Sequence, residues 1–405
     1  MVTEYPCAKR DKSVPPGISE SEYTLSDHSS VAQSSSKRDD PFAILSLPYG
    51  TRPDPDEYLR SAMEWHFGTD TGSPFWLARA ATLGFDPIPE IRSYTDLARF
   101  PNLTDELRDV PLGDLIPRGY GTRPDIISVV ESGGTTGAPK SLPLFSDFAT
   151  VMADRESAVL RRHGLSPDRG WLAVVPSGPH GGYEQCKRTA RVFGTHVFGV
   201  DFDPRWVKKQ IGAGRIAESE DYVEHILDQA AMILQRQRIG LLRTTPPLLA
   251  RMTRRDDLVN AIRDSVDYIH WGGASMDLDT RYLLQNEVFP QASIVGAYGT
   301  TMALGSGGVE RPDSSDPDLC VFDPGPSPQT VIKIVDPDSG RTVRSGERGQ
   351  IVVDFVTRGL FIPNNLERDE ATRIEPADKD QLGDSFANVS PLREFAGVEV
   401  VEGVY

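Results

Sequence analysis

Ile126-Ile-Ser-Val-Val-Glu-Ser-Gly-Gly-Thr-Thr-Gly-Ala-Pro-Lys140 is the stretch on which the reading of this chain turns. Its start is apolar and largely β-branched, which predicts a strand over Ile126–Val130. The strand runs into a loop where Gly133, Gly134 and Gly137 open backbone conformations closed to other residues. Successive N–H groups can then converge on phosphate oxygens. Ser132, Thr135 and Thr136 add hydroxyl donors, and Lys140 adds a cation. An isolated Gly-Gly pair would read as a plain turn. This composition in this order reads as a phosphate cradle.

Two kinds of nucleotide loop compete for it. A Walker A loop has the form Gly-x4-Gly-Lys-Ser. Gly134 to Ser141 fits that form except that Pro139 stands where the second glycine belongs. Proline offers no N–H to a phosphate and cannot take a positive φ. Ile351-Val-Val-Asp354 could pass for the Walker B strand, but it lies in a β-rich tail rather than in alternating βα order.

Around the loop, Asp56–Trp65 and Phe75–Leu83 carry helical spacing, Ser93–Phe100 predicts a short helix, and Val110–Gly121 reads as loop. Ser146 is placed to cap a helix running to about His163. Strands are expected at Trp171–Val175, Gly240–Leu242, Tyr268–Trp271 and Ser293–Ala297, with helices at Asp221–Gln237 and Pro246–Met252 between them. Such alternation predicts an α/β core. Val331–Val335 and Gln350–Phe355 are strands of a β-rich end, expected as a small barrel or appended sheet. Residues 1–40 are polar and predict a disordered tail.

The net charge of -16 argues against a phosphate-backbone partner, so no nucleic acid is expected. No apolar run approaches the roughly 20 residues of a membrane helix. The N-terminus shows no apolar signal segment, which predicts a cytoplasmic protein without a membrane partner. Three cysteines without a CxxC pair, and seven histidines without HExxH spacing, give no disulfide framework and no zinc site.

The loop resembles the Ser-Gly-Thr-Thr-Gly-x-Pro-Lys signature of the acyl-adenylate-forming (AMP-binding) superfamily. Further segments are similar to that family's motifs in the same order: Trp271-Gly-Gly-Ala-Ser275, Ala297-Tyr-Gly-Thr-Thr301, Lys333–Asp336 followed by Gly346–Val353, and Leu382-Gly-Asp384. The likeness spans about residues 50 to 390. Tyr94-Thr-Asp-Leu-Ala-Arg-Phe-Pro101 is most similar to the phenylacetate–CoA ligase branch. The resemblance implies an α/β fold over 41–385, the large N-terminal domain of adenylate-forming enzymes. Helices are layered with mixed sheets, and the β-rich portion lies at about 310–385.

It also implies roles. Lys140, Thr300 and His180 would be catalytic. Ser132, Gly133, Gly134, Thr135, Thr136 and Gly137 would hold the phosphates. Gly272, Gly273 and Ala274 would lie beside the adenine, with the Tyr298 ring against it and Gly299 and Thr301 near the α-phosphate. Asp384 would accept from the ribose hydroxyls, a task suited to an acceptor-only carboxylate. His180 lies in Pro176–Tyr183, after a buried strand where α/β folds open a ligand crevice.

Two departures modify the expectation. Met302 stands where the family has a Glu that helps hold Mg²⁺, and a thioether does not replace a hard oxygen ligand. The metal site is therefore unassigned. The family also continues into a small C-terminal mobile domain bearing a lysine. Residues 386–405 read instead as a hinge remnant, with that domain absent.

The expected function is ATP- and Mg²⁺-dependent conversion of a small, aromatic carboxylic acid to acyl-AMP and pyrophosphate, in specialised-metabolite biosynthesis. The acyl group would pass to an amine, hydroxyl or carrier-protein acceptor rather than to CoA. A homodimer is among the expected assemblies. The alternatives are activation of nitrite or another small nucleophile on the same scaffold, and a non-catalytic nucleotide- and acid-binding homologue.

Overall fold

A computed structural model describes residues 40–133, 138–311, 319–392, 394–395 and 398–399. The tail expected over 1–40 lies outside these residues except for Asp40. Gly134, Thr135, Thr136, Gly137 and the end of the expected hinge remnant also lie outside them.

The chain begins with a helical layer. α1 (Pro55–Phe67) starts where Asp54 accepts from the Glu57 N–H at 2.8 Å and Pro55 supplies a helical φ. α2 (Pro74–Ala80) and α3 (Pro87–Glu90) repeat the device with Ser73 and Asp86. Ser93–Phe100 forms a 3-10 helix over Tyr94–Arg99, and Val110–Gly121 contains two further 3-10 turns. The layer shares a core with the sheet through Val331, Val356 and Phe361. Its aromatic donors hydrogen bond to the sheet backbone: Tyr58 to Val356 O (2.9 Å), Trp65 to Arg358 O (2.7 Å) and Trp76 to Phe361 O (3.0 Å).

β1 (Ile126–Glu131) pairs antiparallel with β2 (Ser141–Phe145) as a separate two-stranded ribbon. The loop between them is thus a hairpin connection. α4 (Ser146–Arg162) follows at once. Its cap position is Phe145, without a side-chain cap, so Ser146 begins the helix instead of capping it.

The parallel half of the main sheet then forms. Its strands are β3 (Gly170–Val174), β4 (Val197–Gly199), β5 (Ile239–Thr244), β6 (Tyr268–Gly272) and β7 (Ser293–Gly299). Its connecting helices are α5 (Gly181–Phe193), α6 (Pro204–Gly212), α7 (Ile216–Leu234), α8 (Pro246–Met252), α9 (Asp256–Ser265) and α10 (Leu278–Leu283). β3 is buried at every position, as a strand covered on both faces should be.

β8 (Gly307–Glu310), β9 (Val321–Gly325), β10 (Thr330–Val335), β11 (Arg348–Val356), β12 (Phe361–Ile374) and β13 (Ser385–Pro391) extend the same sheet antiparallel. The result has eleven strands in the order β10-β11-β12-β13-β9-β8-β7-β6-β5-β3-β4. The expected barrel or appended sheet is thus hydrogen-bonded into the central sheet. It curls at its end, where the Asp384 N–H donates to Ile332 O at 2.8 Å. The first residues of the expected hinge remnant are β13, whose Phe386 and Ala387 are buried in pairing with β9. Among the described residues, no helix is long and apolar enough to cross a membrane.

Candidate active site

The parallel strands end together, and beyond those ends an α/β sheet opens its crevice. β7 delivers Tyr298 there. Its ring stands edge-to-face on Phe386, with centroids 5.4 Å apart, and its hydroxyl donates to Asp369 Oδ2 at 3.0 Å. Burial, then the nearby carboxylates, raise that hydroxyl well above its ordinary pKa, so it remains a donor. The backbone of Tyr298 pairs with Gly308 of β8. A Cβ on neighbouring Gly307 would lie 2.3 Å from Tyr298 O, closer than any side chain tolerates. Gly307→Ala is therefore expected to cost about 1–3 kcal/mol of stability by overpacking. It should also displace Tyr298. Denaturant unfolding and nucleotide titration check both effects, and an unchanged unfolding midpoint contradicts the first.

Thr300 follows β7 and caps the 3-10 turn Thr301–Ala303, accepting from Met302 N at 3.2 Å. Its hydroxyl donates to Glu367 Oε1 at 2.5 Å. Asn365 Nδ2 donates to the same oxygen at 2.6 Å, and the Thr104 hydroxyl donates to Asn365 Oδ1. Glu367 and Asp369 are two residues apart on β12, where its register with β11 shifts, and Asp369 acts on the surroundings of Glu367. Burial raises the Glu367 carboxyl to about 7, assisted by Asp369 and opposed by the Thr300 hydrogen bond and by Lys140.

Lys140 sits across from this pair and is 9% exposed. Burial, and then Arg108, lower its ammonium to about 8, while Asp105 and Glu367 act in the opposite direction. Lys140 N donates to Ser132 Oγ (2.9 Å) and Ser132 N donates to Lys140 O (3.0 Å), which closes the neck of the loop. Ser132 and Gly133 therefore stand at the base of the loop, and the four residues at its tip are those outside the description.

Gly272 ends β6 in register with Ala297, and Gly273 and Ala274 follow it, one strand from Tyr298. Gly299 is exposed at the end of β7. His180 immediately precedes α5 and is half-buried. Burial, then Arg205, lower its imidazole below the ordinary value. Its loop touches β1, since Glu131 N donates to Pro179 O at 2.7 Å. Gly181, next to it, faces the Leu304 carbonyl.

Met302 is 4% exposed and belongs to the main core, so that position points inward. The Asp384 carboxylate takes Arg373 Nε at 2.7 Å and Ile334 N at 3.0 Å and is 5% exposed. The carboxylate beside Tyr298 is Asp369, which the sequence reading missed along with Glu367. The signal available was their i,i+2 spacing on a strand.

A small cavity of about 50 Å³, lined in part by Tyr298, lies between α4, α5 and the sheet. Met152, Arg155, Glu156, Gln185, Arg243 and His270 line it. Glu156 takes Arg243 Nη1 at 2.9 Å, Thr189 Oγ1 at 2.8 Å and Gln185 Nε2 at 3.3 Å. Burial works to raise the Glu156 carboxyl, yet Arg243 and His270 hold it below its ordinary value.

Residues 221–359 match the family model of the AMP-binding enzymes. No curated protein matches the chain. Among solved structures, 2-hydroxyisobutyryl-CoA ligase with 2-HIB-AMP and CoA in the thioesterification state is similar at TM-score 0.57 and 15% identity, covering 82% of this chain and 66% of that one. An open conformation of the same ligase gives TM-score 0.55 and 14% identity, with 82% and 68% covered. The chain thus spans about two thirds of the length of these proteins. At this identity the likeness is one of fold, that of the large domain of adenylate-forming ligases.

Proposed function

We propose that this chain, whose residues 221–359 match the family model of the AMP-binding enzymes, uses ATP to activate a carboxylic acid as its acyl adenylate. The acid's carboxylate oxygen bonds to the α-phosphorus, and the bond to pyrophosphate breaks. The observation that carries this reading is the meeting of Lys140, Thr300, Tyr298 and the β12 carboxylates at one crevice.

Lys140, desolvated, offers charge to the phosphates where it acts most strongly. The Tyr298 ring offers a face to the adenine, beside the backbone of Gly272, Gly273 and Ala274. Asp369 takes the ribose role that the sequence reading gave to Asp384. His180 stays neutral at physiological pH and orients the incoming carboxylate. Mg²⁺ takes one or two carboxylates and completes its shell with phosphate oxygens and water. Glu367 and the Thr300 hydroxyl suit that demand. When bound, the ion would neutralise phosphate charge.

Tyr268, Met152 and Val159 on the cavity wall support an acid with an aromatic body. The phenylacetate–CoA ligase-like branch, a non-CoA acceptor (an amine, hydroxyl or carrier) and a place in specialised metabolism belong to the same reading. The buried Met302 favours one second reading, a homologue that binds nucleotide without turnover.

Incubation with ATP, Mg²⁺ and an acid panel, followed by pyrophosphate measurement, decides between them. Release with at least one acid supports the enzyme. ATP binding without release supports the second reading, and neither binding nor release sinks both. Tyr298→Ala should weaken nucleotide binding by about 1–3 kcal/mol through lost stacking. Equal affinity by calorimetry would contradict the adenine contact.

A further inference from the structure

Arg155 lies in α4, half-buried in the wall of the cavity beside Tyr298. Nη1 donates to Gly325 O at 2.8 Å, and Ser306 Oγ donates to the same carbonyl at 2.9 Å. Arg155 makes no ion pair among the described residues. The carboxylates whose field reaches it are engaged elsewhere. Glu156 is bound to Arg243 at 2.9 Å, and Asp323 to Arg311 at 2.7 Å. Burial lowers the Arg155 guanidinium below its ordinary value, while Tyr49, Glu156 and Asp323 act in the opposite direction.

The charge balance of the lining follows from these pairings. Glu156 and Arg243 cancel. Burial, and then Arg243, lower the His270 imidazole below its ordinary value, and it too faces Glu156, at 3.2 Å. Arg155 is left on the cavity wall without an ion-pair partner among the described residues. A guanidinium in such a place is costly unless an anion arrives to meet it. Its fork geometry fits a planar carboxylate through two parallel N–H donations.

We propose that Arg155 is a specificity residue and that the acid accepted here carries a second anionic group, a carboxylate, which pairs with its guanidinium. One carboxylate of the substrate is activated at the crevice and the other is held in the cavity. This assignment rests on the adenylation reading for the chemistry of the first carboxylate. The binding of the second is testable without it.

The test is calorimetry on the full chain without ATP, comparing succinate with butyrate, glutarate with pentanoate, and terephthalate with benzoate. At least one diacid should bind about tenfold tighter than its monoacid partner, as a charge-assisted bidentate pair would give. Arg155→Gln should bring the pair within about threefold, and Arg155→Lys should recover part of the preference. Thermal unfolding of both variants checks that they fold. If Arg155→Gln does not fold, the wild-type comparison alone decides. Equal affinity for every diacid and its monoacid overturns the proposal, as does a preference unchanged in a folded Arg155→Gln. Pyrophosphate exchange separates the two readings. Arg155-dependent diacid binding without exchange leaves this assignment standing and removes adenylation. Exchange driven by monoacids alone does the reverse.

Discussion

Lys140→Ala should lower kcat/KM for ATP by about two to three orders of magnitude, the loss that follows removal of a preorganised charge from a desolvated site. Binding of the carboxylic acid alone should change little. The variant should also be at least as stable as the parent at neutral pH. The Lys140 ammonium is lowered by burial to about 8 from 10.5, so folding buries a charge that would rather be solvated. Below about 8 the lysine is charged in both folded and unfolded chains, and this cost is fully present. Between about 8 and 10.5 the folded chain binds fewer protons than the unfolded one, so stability rises with pH. The advantage of Lys140→Ala over the parent should shrink across that window. Pyrophosphate kinetics and thermal melts at several pH values measure both effects. Unchanged ATP kinetics would remove Lys140 from the site.

Glu367→Gln should cost about a hundredfold in kcat/KM for ATP and should also change the shape of the pH profile. In the parent, Glu367 titrates near 7 and Lys140 near 8. The profile of kcat/KM should therefore be a narrow bell, rising as Glu367 ionises and falling as Lys140 deprotonates. The glutamine variant should lose the acid limb and keep the alkaline one. Stability gives a second readout with the opposite sign to that of Lys140. The Glu367 carboxyl is raised from 4.5 to about 7, so in that interval the folded chain binds more protons and stability falls as pH rises. Glu367→Gln should flatten that slope. An acid limb that survives in the variant would assign it to another group.

The parallel half of the fold was legible because its strands are short apolar runs closed by Pro or Gly, and its helices bury one stripe. β2 was not legible. Pro143 within Ser141-Leu-Pro-Leu-Phe145 argues against a strand unless that strand has a free edge, and a two-stranded ribbon supplies one. Its partner β1 then reads as a sheet strand when it is half of a hairpin. The loop, Tyr298 and Thr300 were found by local order alone, because each belongs to one continuous motif. Asp384 was singled out for the same reason. A Leu-Gly-Asp triplet carries no information about which carboxylate faces Tyr298, and pairing of Asp384 with Arg373 depends on β12 and β13 lying side by side. Glu367 acquires its character from burial, which Thr300 and Lys140, both remote in sequence, oppose. No window around residue 367 contains that environment.

The relay from Thr104 through Asn365 and Glu367 to Thr300 draws on segments spread over most of the chain. Closing it requires the helical layer, β12 and the end of β7 all to be in place. Contacts of such long sequence separation form late and together, after the entropy of large loops has been overcome. A chain that had built only its parallel strands would present Tyr298 but not the carboxylates. Nucleotide affinity is therefore a gauge of complete folding for this molecule. During refolding, its return should coincide with the last phase seen by tryptophan fluorescence, because Trp65 and Trp76 lie at the same joint between helical layer and sheet.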